Sequence, residues 1–220
     1  MRKTMVMLLF ICVLRAGWTA PIHDAARQGD IAAVSKLLQA DPLQMEARVD
    51  RETPPIWHNP SIINLNETSN ATPLLVAAHA GQLEMVKWLV EHGANLSVYD
   101  DTGNLLSAAA CSGSLPMLRY VIEQCNFAPD GPGGHVLYTA ALTGSLEEVQ
   151  YLIETAGANP YALSYYAPYS VLESAAEGGS LPIVHYLLNH GIDFTTCRNG
   201  IQSVFSAALR GGSLPMALLV

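Results

Sequence analysis

Paired carboxylates, neighbouring histidines, four cysteines and a glycine-rich hexad are the groups in this chain whose types could support chemistry. Glu147-Glu148 and Asp100-Asp101 are adjacent in sequence, so their carboxyls do not face each other as an acid and a base must. They read as solvated charge. His185 and His190 are five residues apart, which on a helix puts them on different faces and leaves them unsuited to share a metal. Cys12, Cys111, Cys125 and Cys197 lack the CxxC spacing of a zinc site and read as free thiols. The stretch DGPGGH at 130–135 matches neither the GxxxxGK loop nor a strand followed by GxGxxG, so it is expected to be a turn. The GGS runs do not form a GxSxG nucleophile elbow. No nucleophile, base and oxyanion donor come together, and the chain reads as non-catalytic, with no metal and no cofactor.

Net charge and composition narrow the partners. The 220 residues carry a net charge of −8 and only 14% charged side chains, while 50% are hydrophobic. No Lys/Arg cluster occurs beyond Arg2-Lys3, so the positive footprint that phosphate backbones require is missing and nucleic acid is excluded as a partner. Asn66, Asn70 and Asn95 open N-x-S/T triplets and are candidate glycosylation sites. They gain meaning if the N-terminus directs secretion. Residues 1–20 form a signal-like or apolar segment, with a basic start, an apolar run at 4–14 and Arg15. The run is too short to span a bilayer alone. Localisation stays open between secretory or membrane-anchored and cytoplasmic, and a membrane enters only if the segment is an uncleaved anchor.

What must position any functional side chain is a repeat. Glycines at 29, 81, 113, 144, 179 and 212 precede helix-like runs at intervals of 52, 32, 31, 35 and 33. Small-residue pairs lie upstream: Ala25-Ala26, Ala77-Ala78, Ala109-Ala110, Ala140-Ala141, Ala175-Ala176 and Ala208-Leu209. Downstream, apolar residues recur at offsets 0, 3, 6 and 7, as in Leu83/Val86/Leu89/Val90 and Leu181/Val184/Leu187/Leu188. That spacing places four side chains on one helix face. Each unit is a short alanine-rich helix, a glycine turn, an amphipathic second helix and a loop, stable only when stacked on its neighbours.

GSLP occurs at 113–116, 179–182 and 212–215. The serines Ser114, Ser180 and Ser213 stand where a helix N-cap belongs, and the proline falls in the first turn, where its missing N–H costs nothing. Cys125 stands where other units have Gly93 and Gly191, so either it adopts a strained turn or the exit from that helix differs.

The residues APIHDAARQGDIAAVSKLL (20–38) and TPLLVAAHAGQLEMVKWLVEHGAN (72–95) resemble the ankyrin-repeat family, with His23 at the family's histidine place. Later units drift there to Ser107, Tyr138, Glu173 and Ser206. The resemblance implies an all-α ankyrin-repeat solenoid over 21–220, with about six units, an inserted loop at 51–70 and an incomplete last unit. It further implies a protein-protein interaction module or adaptor whose concave surface, made of finger loops and first helices, takes another protein of unknown identity. Tyrosine offers rigid contact area with a polar tip, and four of them crowd the finger loop YALSYYAPY. Tyr161, Tyr165, Tyr166, Tyr169 and Tyr99 are therefore candidate partner contacts, with His79, Cys111, Leu142, Glu177 and Arg210 on the first-helix faces. The apolar ending Met216-Ala217-Leu218-Leu219-Val220 suggests self-association or a segment cut from a longer enzyme or channel that it targets or regulates.

Overall fold

The computed structural model describes residues 21–49, 70–100, 103–130, 136–161, 170–197, 200–213 and 215. Residues 1–20, nearly all of the inserted loop, Asn66, Tyr165, Tyr166, Tyr169 and the apolar ending after Pro215 lie outside the described residues. First helices of the units are α1 (Pro21–Gln28), α3 (Pro73–His79), α5 (Leu105–Cys111), α7 (Val136–Thr143), α9 (Val171–Glu177) and α11 (Ile201–Arg210). Second helices are α2 (Ile31–Ala40), α4 (Leu83–Glu91), α6 (Leu115–Glu123), α8 (Leu146–Glu154) and α10 (Leu181–Asn189). A hairpin of β1 (Tyr99–Asp100) and β2 (Gly103–Asn104) leads into α5. The repeat-turn glycines all take left-handed backbone, from Gly29 (φ 73°) to Gly212 (φ 69°), which a side chain would resist.

First helices stack in chain order, each on the next. Every residue of α3, α5 and α9 is buried, because alanine pairs such as Ala77-Ala78 and Ala175-Ala176 let the neighbouring helix come close. The approach is tightest at the C-caps of α9 and α11. A methyl group on Gly178 would run into the carbonyl oxygen of Leu142, and one on Gly211 into that of Glu177. Both have ordinary negative φ, so close approach, not backbone conformation, demands glycine there.

From α4 on, second helices bury offsets 2, 3 and 6: Met85, Val86 and Leu89 in α4, Met117, Leu118 and Val121 in α6, while α2 buries only Val34. Offsets 0 and 7, such as Leu83 and Val90, are only half-buried against the core. The buried stripe is thus turned toward offset 2 relative to the sequence reading. From α4 on an aromatic recurs at offset 5, and in α8 and α10 its tip reaches back one unit. Tyr151 donates its hydroxyl to Glu123 Oε1 at 3.0 Å, and Tyr186 donates to Glu154 Oε1 at 2.8 Å. Arg119 lies 4.7 Å over the Tyr151 ring.

Helix ends partly follow the sequence reading. Ser114 and Ser180 do occupy N-cap positions with Pro116 and Pro182 in the first turn, but their hydroxyls make no capping bond. Instead the Ser114 backbone N–H donates to Ser112 Oγ at 3.2 Å. The drift at the histidine place has a local answer. Ser170 and Glu173 form a reciprocal capping box at the start of α9, and Asn104 Oδ1 accepts from the Ser107 N–H at 3.1 Å at the start of α5. Cys125 is not strained, because Asn126 (φ 59°) takes the left-handed place one residue later. Gly178→Ala should cost about 1–3 kcal/mol through overpacking, read as a lowered urea midpoint. An unchanged midpoint would mean that the two helices have room to spare.

Candidate protein-binding surface

The loops between units are tied to one another by backbone donors. Glu46 Oε1 accepts from the Asn95 N–H at 2.8 Å, and at the equivalent place Asp130 accepts from the Asn159 N–H at 3.0 Å. Each of these asparagines folds its own loop by an Asx turn, Asn95 Oδ1 taking the Ser97 N–H and Asn159 Oδ1 the Tyr161 N–H, both at 2.9 Å. Arg48 Nη1 donates to the carbonyls of Asn70 and Tyr99 at 2.8 and 2.9 Å, bridging successive loops. On this frame Tyr99 and Tyr161 stand 48% and 57% exposed. Asn70 and Asn95 are exposed too, although Thr72 of the first triplet is the buried N-cap of α3.

One residue near the end of each first helix from α3 to α11 forms an inner row: His79, Cys111, Leu142, Glu177 and Arg210. Leu142 is half-buried and Arg210 exposed, but His79, Cys111 and Glu177 are buried. Walls between units hold them, not an open groove. His79 Nε2 lies 2.9 Å from Asp100 Oδ2, whose other oxygen accepts from the Gly103 N–H at 3.1 Å. Arg210 Nη2 donates to Glu177 Oε2 at 3.1 Å, joining the last two units. Asp100 is therefore an enclosed partner of His79, not the solvated charge its sequence neighbourhood suggested. Cysteine, histidine and aspartate side by side suggest a nucleophile. Burial, with Asp100 and Glu148 adding to it, pushes the Cys111 thiol up to about 12, so it stays protonated and unreactive at neutral pH. Among the described residues no three or more His, Cys, Asp or Glu side chains are grouped to hold a metal, and no helix is long and apolar enough to cross a membrane.

The repeat geometry agrees with what the comparisons find. The family model of ankyrin repeats (3 copies) matches residues 22–130 and again 106–198. The chain belongs to the ankyrin-repeat family. It is also similar to the ankyrin and armadillo repeat-containing proteins of Mus musculus, 30% identical over 110 residues, and of Homo sapiens, 28% identical over 110 residues. Each match takes in 50% of this chain and 6% of the relative, so the chain spans a small fraction of those proteins' length.

Within this ankyrin array, the residue that sequence reasoning misplaced most is Glu148. It was expected in solvent beside Glu147, yet it is 0% exposed and neither carboxyl oxygen has a hydrogen-bond partner. Its place is offset 2 of the second helix, filled by Met85, Met117 and Ile183 in other units. The signal was available only by comparing those offsets. Desolvation pushes its carboxyl up to about 8 from the ordinary 4.5. The folded state then holds a proton that the unfolded chain releases, so stability is full below pH 4.5 and falls as pH rises toward about 8, levelling off above it. From a shift of this size the loss is on the order of a few kcal/mol. Glu148→Met should flatten that slope and raise the urea midpoint more at pH 8.5 than at pH 5. Equal midpoint gains at both pH values would show that Glu148 does not titrate on unfolding.

Proposed function

We propose that this ankyrin array is a non-catalytic adaptor that holds a protein partner against its finger loops and the adjoining inner row. Ankyrin repeats are in general protein–protein interaction modules. The observation that carries the reading is the exposure of Tyr99 and Tyr161 on loops cross-tied by Glu46, Arg48 and Asp130. Large aromatic area on a pre-ordered frame binds with little loss of side-chain freedom. Tyr165, Tyr166 and Tyr169 follow Tyr161 in the sequence, while Leu142 and Arg210 are the inner-row positions with accessible surface. His79 and Glu177 support the frame from behind through Asp100 and Arg210.

A second reading, an ankyrin segment that targets or regulates a longer protein, is favoured by the relatives, in which the matching stretch is 6% of the length.

A photo-crosslinking residue replacing Tyr99 or Tyr161 should tag the same partner protein, while one replacing Glu84 on the second-helix side should not. Changing Tyr161, Tyr165 and Tyr166 together to Ala should abolish the tag from position 99 and leave the melting temperature within a few degrees, the outcome expected of partner contacts that do not pack the fold. A fall of many degrees would make the tyrosines packing residues and sink the reading.

A further inference from the structure

We infer that the outer face of α11 is a self-association surface, closed by the same face of a second copy of the chain. Ile201, Phe205 and Leu209 are 46%, 43% and 55% exposed and, four residues apart, line one side of the helix. Ile201 and Phe205, with Gln202 and Ser206, border a groove on this face. In every internal unit the place of Phe205 is held by a buried leucine (Leu74, Leu106, Leu137 or Leu172) and that of Leu209 by a buried alanine (Ala78, Ala110, Ala141 or Ala176). Those alanines are what let the next first helix come close. At α11 the alanine is replaced by leucine and the leucine by phenylalanine. The helix also runs to 10 residues, against 7 in α3, α5 and α9. A further unit stacked at the usual spacing would meet Leu209 where it needs a methyl group. The face is apolar like an inter-unit wall but shaped for a different neighbour.

The outer face of α1 does not fit it. There α1 exposes Pro21, Asp24 and Gln28, so head-to-tail stacking of two copies would set a carboxylate-bearing face against hydrocarbon. The α11 face is instead self-complementary. Its flanks, Gln202 and Ser206, are uncharged, and Arg210, the charge beside it among the described residues, is bonded to Glu177 of its own chain. Two copies of this face therefore meet without like charges opposed, although each chain carries −8. A ridge at i, i+4 and i+8 packs into its own symmetry mate at a crossing angle of about −50°, giving a closed two-fold contact. One helix face per chain lies at the small end of specific interfaces, below about 1,200 Å² in total, so dissociation in the micromolar range is expected. The contact uses no residue of the loops that carry Tyr99 and Tyr161.

Sedimentation velocity across a micromolar concentration series should show a reversible monomer–dimer equilibrium. Phe205→Lys should weaken it about tenfold or more, equivalent to about 1.4 kcal/mol. Ser206→Lys, a change at an exposed polar position, should weaken it too. Melting curves for both variants check that the fold is intact. Oxidised Leu209→Cys chains should give a dimer linked between the two introduced thiols, identified by peptide mapping. A mixture of Leu209→Cys and Gln28→Cys chains should give no link between the two types. A monomer at all concentrations, a dimer indifferent to both lysine variants, or a 209-to-28 link would each overturn the inference.

Discussion

The contact on which the rest of this structure depends is the close stacking of first helices on paired small residues. A helix of seven residues has no stability alone, and its second-helix partner of nine cannot cover it. Burying α3, α5 and α9 completely is the solution, and it works because Ala77-Ala78, Ala109-Ala110 and Ala175-Ala176 leave no side chain to hold the next helix away. Gly178 and Gly211 carry the same logic to its limit, with the facing carbonyl occupying the space of a methyl group. Finger positions follow from this spacing, since each loop starts and ends on helices whose separation the stack has set.

Polar bonds then fix the register of one unit on the next. They recur at like places: Tyr151 to Glu123 and Tyr186 to Glu154 on the second-helix side, Glu46 to Asn95 and Asp130 to Asn159 between loops. The glutamates of the first pair are exposed, so water competes for them and each bond contributes about 1 kcal/mol. Their effect is mainly directional. A chain with 14% charged residues uses a large share of them as ties, which leaves the loop aromatics as its distinctive exposed chemistry.

Two features run against the repeat. Glu148 stands in an apolar layer, and the outer face of α11 carries larger side chains than the corresponding faces of the internal first helices. Both are departures from a pattern that the other units obey. The first makes folding stability depend on a single proton, because desolvation is not offset by any hydrogen bond. The second leaves the outer face of α11 apolar where that of α1 is polar.

The sequence by itself determined the architecture. Glycine spacing, alanine pairs and the apolar stripes located the five helix pairs and the sixth first helix among the described residues, because turn conformation and amphipathic period are properties of neighbouring residues. It also located the first-turn prolines. Tertiary structure decided which face of each second helix is covered, that Asp100 lies enclosed behind His79, and that Glu148 is dry beside an exposed Glu147. It decided as well that Asn126, not Cys125, turns the chain out of α6. The covered helix faces and the dry Glu148 are set by packing against neighbouring units, and the partner of Asp100 lies 21 residues back along the chain, so no run of adjacent residues carries their position.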